Sequence, residues 1–351
     1  MINEDAIKSY IKTKFKDAIR VEIAKIGSGV QGSGFLVAME TSQGEKSYVV
    51  KGLFPEGLGH DYPSDRASVF LLDMEDYAKL PCHVKAVDVL AEMPDGTVKS
   101  IGGGKEYYLL MERCEGTDYF NDLKAMVSKS RLDENDKAKI RSMAKYLAEI
   151  HSVKKDSRTL YWRKIRDIIG HGECLMGVFD TYPDGTISYD RMAVIEKLCI
   201  DWRAHLKPNT GRLSQIHGDF HPGNIWFQSD TKFILLDRSR GAWGDPADDI
   251  TALSMNYIFF SLREYGDLRG ACKEGFEMFF DEYVRLSGDS GIFEVLAPFY
   301  AFRGAVVANP VFYNDVPGAV RDKIFNFVTK VLKTDRFDAQ SVNTYLEACG
   351  E

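Results

Sequence analysis

The spacing of hydrophobic positions changes along the chain. The N-terminal stretch MINEDAIKSYIKTKFKDAIR reads as an amphipathic surface helix, after which Val21 to Ile26 predicts a strand. A glycine-rich segment follows, and Phe35 to Thr41 predicts a second strand that ends in the turn SQGE. Ser47 to Leu53 predicts a third, so the chain opens with an antiparallel sheet. From Ser64 to Leu80, Val69, Leu72, Tyr77 and Leu80 fall among acids in a helical pattern, and Val84 to Leu90 and Tyr107 to Met111 are further strand-like runs. Beyond Gly116 long helical patterns take over, as in Asp136 to His151 and Phe276 to Leu286. In the second of these, Phe276, Phe279, Phe280 and Tyr283 recur at i, i+3, i+4 and i+7. The pattern predicts an α+β protein: a small sheet-rich lobe, residues 1–115, then a large, mostly helical lobe, residues 116–351.

Length agrees, since 351 residues exceed one ordinary core. Apolar residues at 44% and charged residues at 28% argue against wholesale disorder. The 45 Lys and Arg against 52 Asp and Glu leave a net charge of −7, the wrong sign for a protein whose task is gripping nucleic acid. The N-terminus has no apolar core of a secretory signal, and no apolar run approaches the roughly 18 residues of a membrane span. Six cysteines stand singly, without a CxxC pair, as reduced thiols of a cytoplasmic protein would.

Two segments carry chemistry. Gly27, Ser28, Gly29, Val30, Gln31 and Gly32 form GxGxxG, which dinucleotide sites and kinase phosphate loops share. A dinucleotide site would need a following helix and, about 20 residues on, an acid for the ribose. Here a strand follows, and Lys51 ends the apolar run YVVK. Glycines that let backbone N–H groups approach anionic oxygens, with a lysine on a neighbouring strand, suit phosphates.

The second segment is QIHGDFHPGNIWF, residues 215–227, followed by FILLDRSRGAWGDPADDI, residues 233–250. Asp219 and Asn224 stand five positions apart, as in the kinase catalytic loop, where the Asp takes the acceptor proton and the Asn binds magnesium. Asp237 follows a buried-looking strand, Phe233 to Leu236, as a second metal ligand would. His217 and His221 could suggest zinc on a helix, but Gly218, Pro222 and Gly223 argue against a helix here.

These residues resemble the aminoglycoside phosphotransferase and choline kinase family, small-molecule relatives of the protein kinases, over Lys25 to about Leu253. The resemblance implies a two-lobed, protein-kinase-like fold and transfer of the γ-phosphoryl group of ATP to a hydroxyl of a small molecule, with Mg²⁺. It implies Asp219 as catalytic base, Asn224 and Asp237 as magnesium ligands, and Lys51 on the α- and β-phosphates beneath Gly27, Gly29 and Gly32. His217 and Asp249 would support the catalytic loop, and Asp245 would shape the turn after the metal ligand. YYLLMERCEG resembles the family's linker, so backbone groups of Glu112 and Cys114 should meet the adenine. For the acidic partner of Lys51, Asp65, Asp73 and Glu75 compete, and Asp65 is favoured because it opens the helix.

The acceptor has no signature of its own. Arg238 and Arg240 beside the reaction centre speak against polycationic aminoglycosides, unless they pair with Asp245 or Asp248. Arg166, in the mixed-charge region Tyr161 to Tyr182, is a further candidate contact. Arg303, in the apolar run FYAFRGAVVANPVF, should have an acidic partner or an anionic ligand. Tyr257, Phe259 and Phe260 suit a helix core better than a cation cage. The alternatives to a small-molecule kinase are a Ser/Thr protein kinase, which shares the site chemistry, and a catalytically silent nucleotide-binding regulator. GTP could stand in place of ATP.

Overall fold

Three long antiparallel strands organise the beginning of the chain. The computed structural model describes residues 2–28, 32–55, 59–76, 84–104, 113, 115–238 and 240–348. The chain divides into two compact units, Met1–Glu112 and Arg113–Glu351.

In the first unit, helix α1 (Glu4–Lys14) starts at Asn3, whose side chain accepts from the Ala6 N–H at 3.1 Å. The helix is shorter than the pattern predicts. Phe15 closes it and stacks on Tyr48, 5.0 Å between centroids, and from Ala18 the chain is already strand β1 (Ala18–Ser28). Strands β2 (Gly32–Thr41) and β3 (Gly44–Leu53) complete the sheet in the order β1-β2-β3. Ile7 and Ile11 of α1 close over Val21, Val37 and Met39, which gives this unit its core.

Helix α2 (Pro63–Asp76) follows, and Tyr77 and Leu80 lie outside the described residues. The strand expected from Val84 to Leu90 does not form. Strand β4 (Leu90–Glu92) starts where that run ends and makes a short hairpin with β5 (Val98–Ser100). Asp88 is the reason: its carboxylate accepts from Tyr10 and Lys14 of α1, from Ser100 Oγ at 2.7 Å and from the Val89 N–H at 2.8 Å. A backbone N–H taken by its neighbour's side chain is lost to a ladder. The strand expected at Tyr107 to Met111 lies outside the described residues.

The second unit begins with β6 (Thr117–Asp118) and the helices α3 (Tyr119–Val127), α4 (Glu134–Ser152), α5 (Arg158–Gly170), α6 (Leu175–Asp180) and α7 (Tyr189–Leu206). Four short strands follow, β7 (Ser214–Gln215), β8 (Ile225–Phe227), β9 (Phe233–Leu235) and β10 (Trp243–Gly244). The helices α8 (Ala247–Tyr265), α9 (Gly270–Ser287), α10 (Ala297–Ala308), α11 (Gly318–Val331) and α12 (Val342–Leu346) complete it. Every residue of α8 from Ala247 to Leu262 is buried, so Tyr257, Phe259 and Phe260 are core, with the Tyr257 and Tyr119 hydroxyls bonded at 2.8 Å. The aromatic stripe of α9 is buried as its spacing predicts. At Gly275 a Cβ would come within 3.0 Å of the Tyr257 ring, so the glycine lets α9 approach α8 closely.

The α+β architecture read from the pattern is the one observed. Among the described residues no helix is long and apolar enough to cross a membrane. Cys174, Cys199 and Cys272 are buried free thiols, and burial pushes Cys174 up to about 11 and Cys272 to about 12.

Candidate active site

Two small ladders set the chemistry-bearing loops side by side. β7 pairs with β10 and β8 with β9, so the loop from β7 to β8 carries residues 216–224 and the loop from β9 to β10 carries residues 236–242. The loops are joined at both ends, by Ile216 N–H to Ala242 O at 3.0 Å and Leu236 N–H to Asn224 O at 3.0 Å. Arg238 adds a cross-strap, donating to Ile216 O at 3.0 and 2.7 Å and to Ala242 O at 3.3 Å.

The first loop is fixed by its own glycine and by the start of α8. Gly218 has φ +87°, a conformation that L side chains resist. The Asp249 carboxylate, at the start of α8, accepts from the His217 and Gly218 N–H groups, both at 2.7 Å. Behind it His151 of α4 lies 3.2 Å away through Nε2, while its Nδ1 is 2.9 Å from the Tyr283 hydroxyl of α9. Burial pushes the Asp249 carboxyl up, but the hydrogen bonds and charges of His151 and His217 outweigh it and hold the group below the ordinary carboxylate range.

The histidines serve their own loop. His217 Nδ1 accepts from the Asp219 N–H at 3.2 Å, and His221 Nδ1 from the Gly223 N–H at 3.1 Å. Only one 3-10 turn, Pro222–Asn224, occurs there. The spacing of Asp219 and Asn224 has a local cause, for Asn224 Nδ2 donates to Asp219 O at 3.0 Å and closes the loop.

Asp219 is buried among cations. Its Oδ1 meets Arg303 Nη1 at 2.6 Å and Arg240 Nη1 at 2.7 Å, and His221 Nε2 is 3.8 Å from Oδ2. Burial alone would raise its pKa, yet the charges of Arg303 and Arg240 hold the carboxyl well below the ordinary range. Arg303 also bonds Asp248 at 2.8 Å, and Lys164 forms an ion pair with the other Asp248 oxygen at 2.6 Å. Arg303 therefore has the acidic partners its apolar surroundings require.

Asp237 is exposed, and among the described residues its carboxylate accepts no hydrogen bond. Its φ of 52° is the one positive value at a non-glycine among the described residues. His217, Asp237 and Arg238 line a recess of about 200 Å³ with Tyr146 and Ile150 of α4. Asp245 shapes the turn into α8 by accepting from the Ala247 N–H at 3.0 Å, and Arg212 bridges it to Asp289.

Asp219, Asn224, Asp237, His217, Asp249, Arg238, Arg240 and Arg303 thus gather on one loop pair and its supports. Arg166 does not join them; it pairs with Asp167 at 2.7 Å on the exposed side of α5. In the first unit, Gly27 lies next to the end of β1 with open space where a Cβ would stand, whereas a Cβ on Gly32 would lie 2.1 Å from Gly52 O. Lys51 is exposed on β3 opposite Gly34. Asp65 accepts from the Tyr62 N–H at 2.7 Å at the start of α2. Gly29, Glu112 and Cys114 lie outside the described residues. Sequence reasoning missed His151 and Arg212, and took in Lys164 only as one charge of the mixed-charge region Tyr161 to Tyr182. His151 continues the apolar stripe of α4, Ile140, Met143, Ala144 and Leu147, so it reads as core.

The chain is an α+β protein whose second unit carries this pair of loops. It belongs to the phosphotransferase enzyme family, whose model matches residues 78–265, more than half of the chain. A search of curated proteins finds no match. Similar solved structures include an amicoumacin kinase in complex with AMP-PNP and Ca²⁺, 13% identical over 97% of this chain and 100% of that one, TM-score 0.43. A thermostable aminoglycoside phosphotransferase with ADP and hygromycin B is 14% identical over 93% of this chain and 98% of its own, TM-score 0.39. A choline kinase from Cryptosporidium parvum is 14% identical over 98% of this chain and 93% of its own, TM-score 0.34.

Proposed function

We propose that the protein transfers the γ-phosphoryl group of ATP to a hydroxyl of a small molecule with the help of Mg²⁺. The observation that carries the reading is the loop pair itself, in which Asp219, Asn224 and Asp237 are held in register by the Asp249 clamp and the Leu236–Asn224 bond. The donor set suits magnesium, which takes hard oxygen ligands. Asn224 commits Nδ2 to Asp219 O, which leaves its Oδ1 for a ligand, and the Asp237 carboxylate has no competing donor among the described residues. When bound, the ion would neutralise charge on the phosphate oxygens.

Asp219 would accept the proton of the acceptor hydroxyl. A carboxylate held ionised is a weak base, but phosphoryl transfer relies more on positioning than on proton abstraction. Lys51 would lend a point charge to the α- and β-phosphates and the Gly27, Gly29 and Gly32 backbone would lie against them, while Glu112 and Cys114 would meet the adenine.

Two substitutions test the roles. Asp219→Asn should lower ADP formation about 100-fold or more while leaving Mg·ATP affinity within about threefold. Asp237→Ala should lose magnesium-dependent nucleotide binding in calorimetry. Equal losses of nucleotide binding in both variants would refute the assignment.

A further inference from the structure

The surroundings of Asp219 restrict the acceptor. Three cations, Arg240, Arg303 and Lys164, face two carboxylates, Asp219 and Asp248, in one contiguous cluster. Four of the five are more than nine-tenths buried. A surplus cation in such a place is costly unless an anion joins it. Glu173 is a poor substitute, 3.8 Å from Arg240 Nε with a side chain 59% exposed. Arg240 and Arg303 each keep a buried Nε without a hydrogen-bond partner. Arg240 is the more accessible, its side chain 17% exposed against 6% for Arg303, so an incoming molecule meets it first. The Phe302 ring lies 5.3 and 4.5 Å from the two guanidinium carbons and steadies both.

The same pairing orients the base. Both arginines occupy Oδ1 of Asp219, and among the described residues Oδ2 accepts no hydrogen bond. Oδ2 is the oxygen left to receive a proton.

We propose, building on the phosphotransferase reading above, that the acceptor carries an anionic group, carboxylate or phosphoryl, close to the hydroxyl, and that Arg240 selects it. The hydroxyl oxygen bonds to the γ-phosphorus of ATP as the bond from that phosphorus to the β,γ-bridging oxygen breaks. ADP leaves with that electron pair, and the hydroxyl proton passes to Asp219 Oδ2. A polycationic acceptor would instead set ammonium groups against the surplus cation.

The test uses the full chain, with Mg·ATP and four acceptor pools: hydroxycarboxylic acids, sugar and polyol phosphates, neutral polyols, and cationic amino alcohols with aminoglycosides. Wild type, Arg240→Lys, Arg240→Gln and Asp219→Asn are compared by ADP release, with thermal melting in each pool without nucleotide as a separate readout of binding. One anionic pool should stimulate wild type and not Asp219→Asn, and which one tells carboxylate from phosphoryl. Arg240→Gln should raise KM for the active acceptor about 10- to 100-fold and lower kcat by a smaller factor, because Arg303 still holds Asp219 Oδ1; Arg240→Lys should retain part of the affinity, and the melting shift should vanish in Arg240→Gln. Stimulation by neutral or cationic pools instead, or no anionic stimulation of a protein that binds Mg·ATP, overturns the inference. So does an Arg240→Gln variant whose kcat falls equally for every acceptor at unchanged KM, for Arg240 would then serve the transferring group. A protein that binds no nucleotide refutes the proposed function instead, and the melting shift alone then decides the anion site.

Discussion

The phosphate-side candidates and the reaction-side candidates are held in opposite ways. Lys51 stands exposed on a strand, and Gly27 has open space about it. Asp219, His217 and Asp249 are buried, each backbone turn among them fixed by a named acceptor. A point charge acts over several ångströms and tolerates a mobile stem. A proton acceptor works only within hydrogen-bond reach, so the loop that bears it needs support from several elements.

Asp249→Ala should break this contrast most severely. It leaves the His217 and Gly218 N–H groups and His151 without their buried acceptor, and should cost about 3–5 kcal/mol in urea unfolding as well as activity. The pH dependence sharpens the point. Because the folded-state pKa of Asp249 is depressed, its contribution is fully present above the ordinary carboxyl value of about 4 and is lost as pH falls through the folded value. The stability gap between wild type and Asp249→Asn should therefore be widest near pH 7 and shrink as pH falls through the acid range. Gly32→Ala comes next, at about 1–3 kcal/mol, because its Cβ would strike Gly52 O of β3. Lys51→Ala should move stability by no more than about 0.5 kcal/mol while lowering ADP formation at least about tenfold. A strongly destabilised Lys51→Ala would erase the contrast between the two regions.

What could be read beforehand follows the same division. HGDFHPGN was legible because its geometry is local: one side chain, Asn224, reaches back five residues to close the loop. The helical stripes of α4 and α9 were legible because burial on one face imposes a period. The supports came from far away. His151 is separated from Asp249 by 98 positions, and nothing near it distinguishes a bonded histidine from a packed one. For Arg303 the need for an acid was readable from its apolar neighbours, whereas the identity of Asp219, 84 positions off, was not. The run from Val84 misled for the converse reason, since its β-branched valines suit a strand while Asp88 is engaged by α1 and Ser100.

Asp237 carries a longer consequence. A left-handed backbone costs an L side chain about 1 kcal/mol, and glycine at 237 would relieve it. Selection for heat resistance alone would thus favour Asp237→Gly and discard the carboxylate with the strain. Copies of this chain that have drifted free of their chemistry should relax at this position early, so an aspartate kept at 237 tells a working enzyme from one that merely folds.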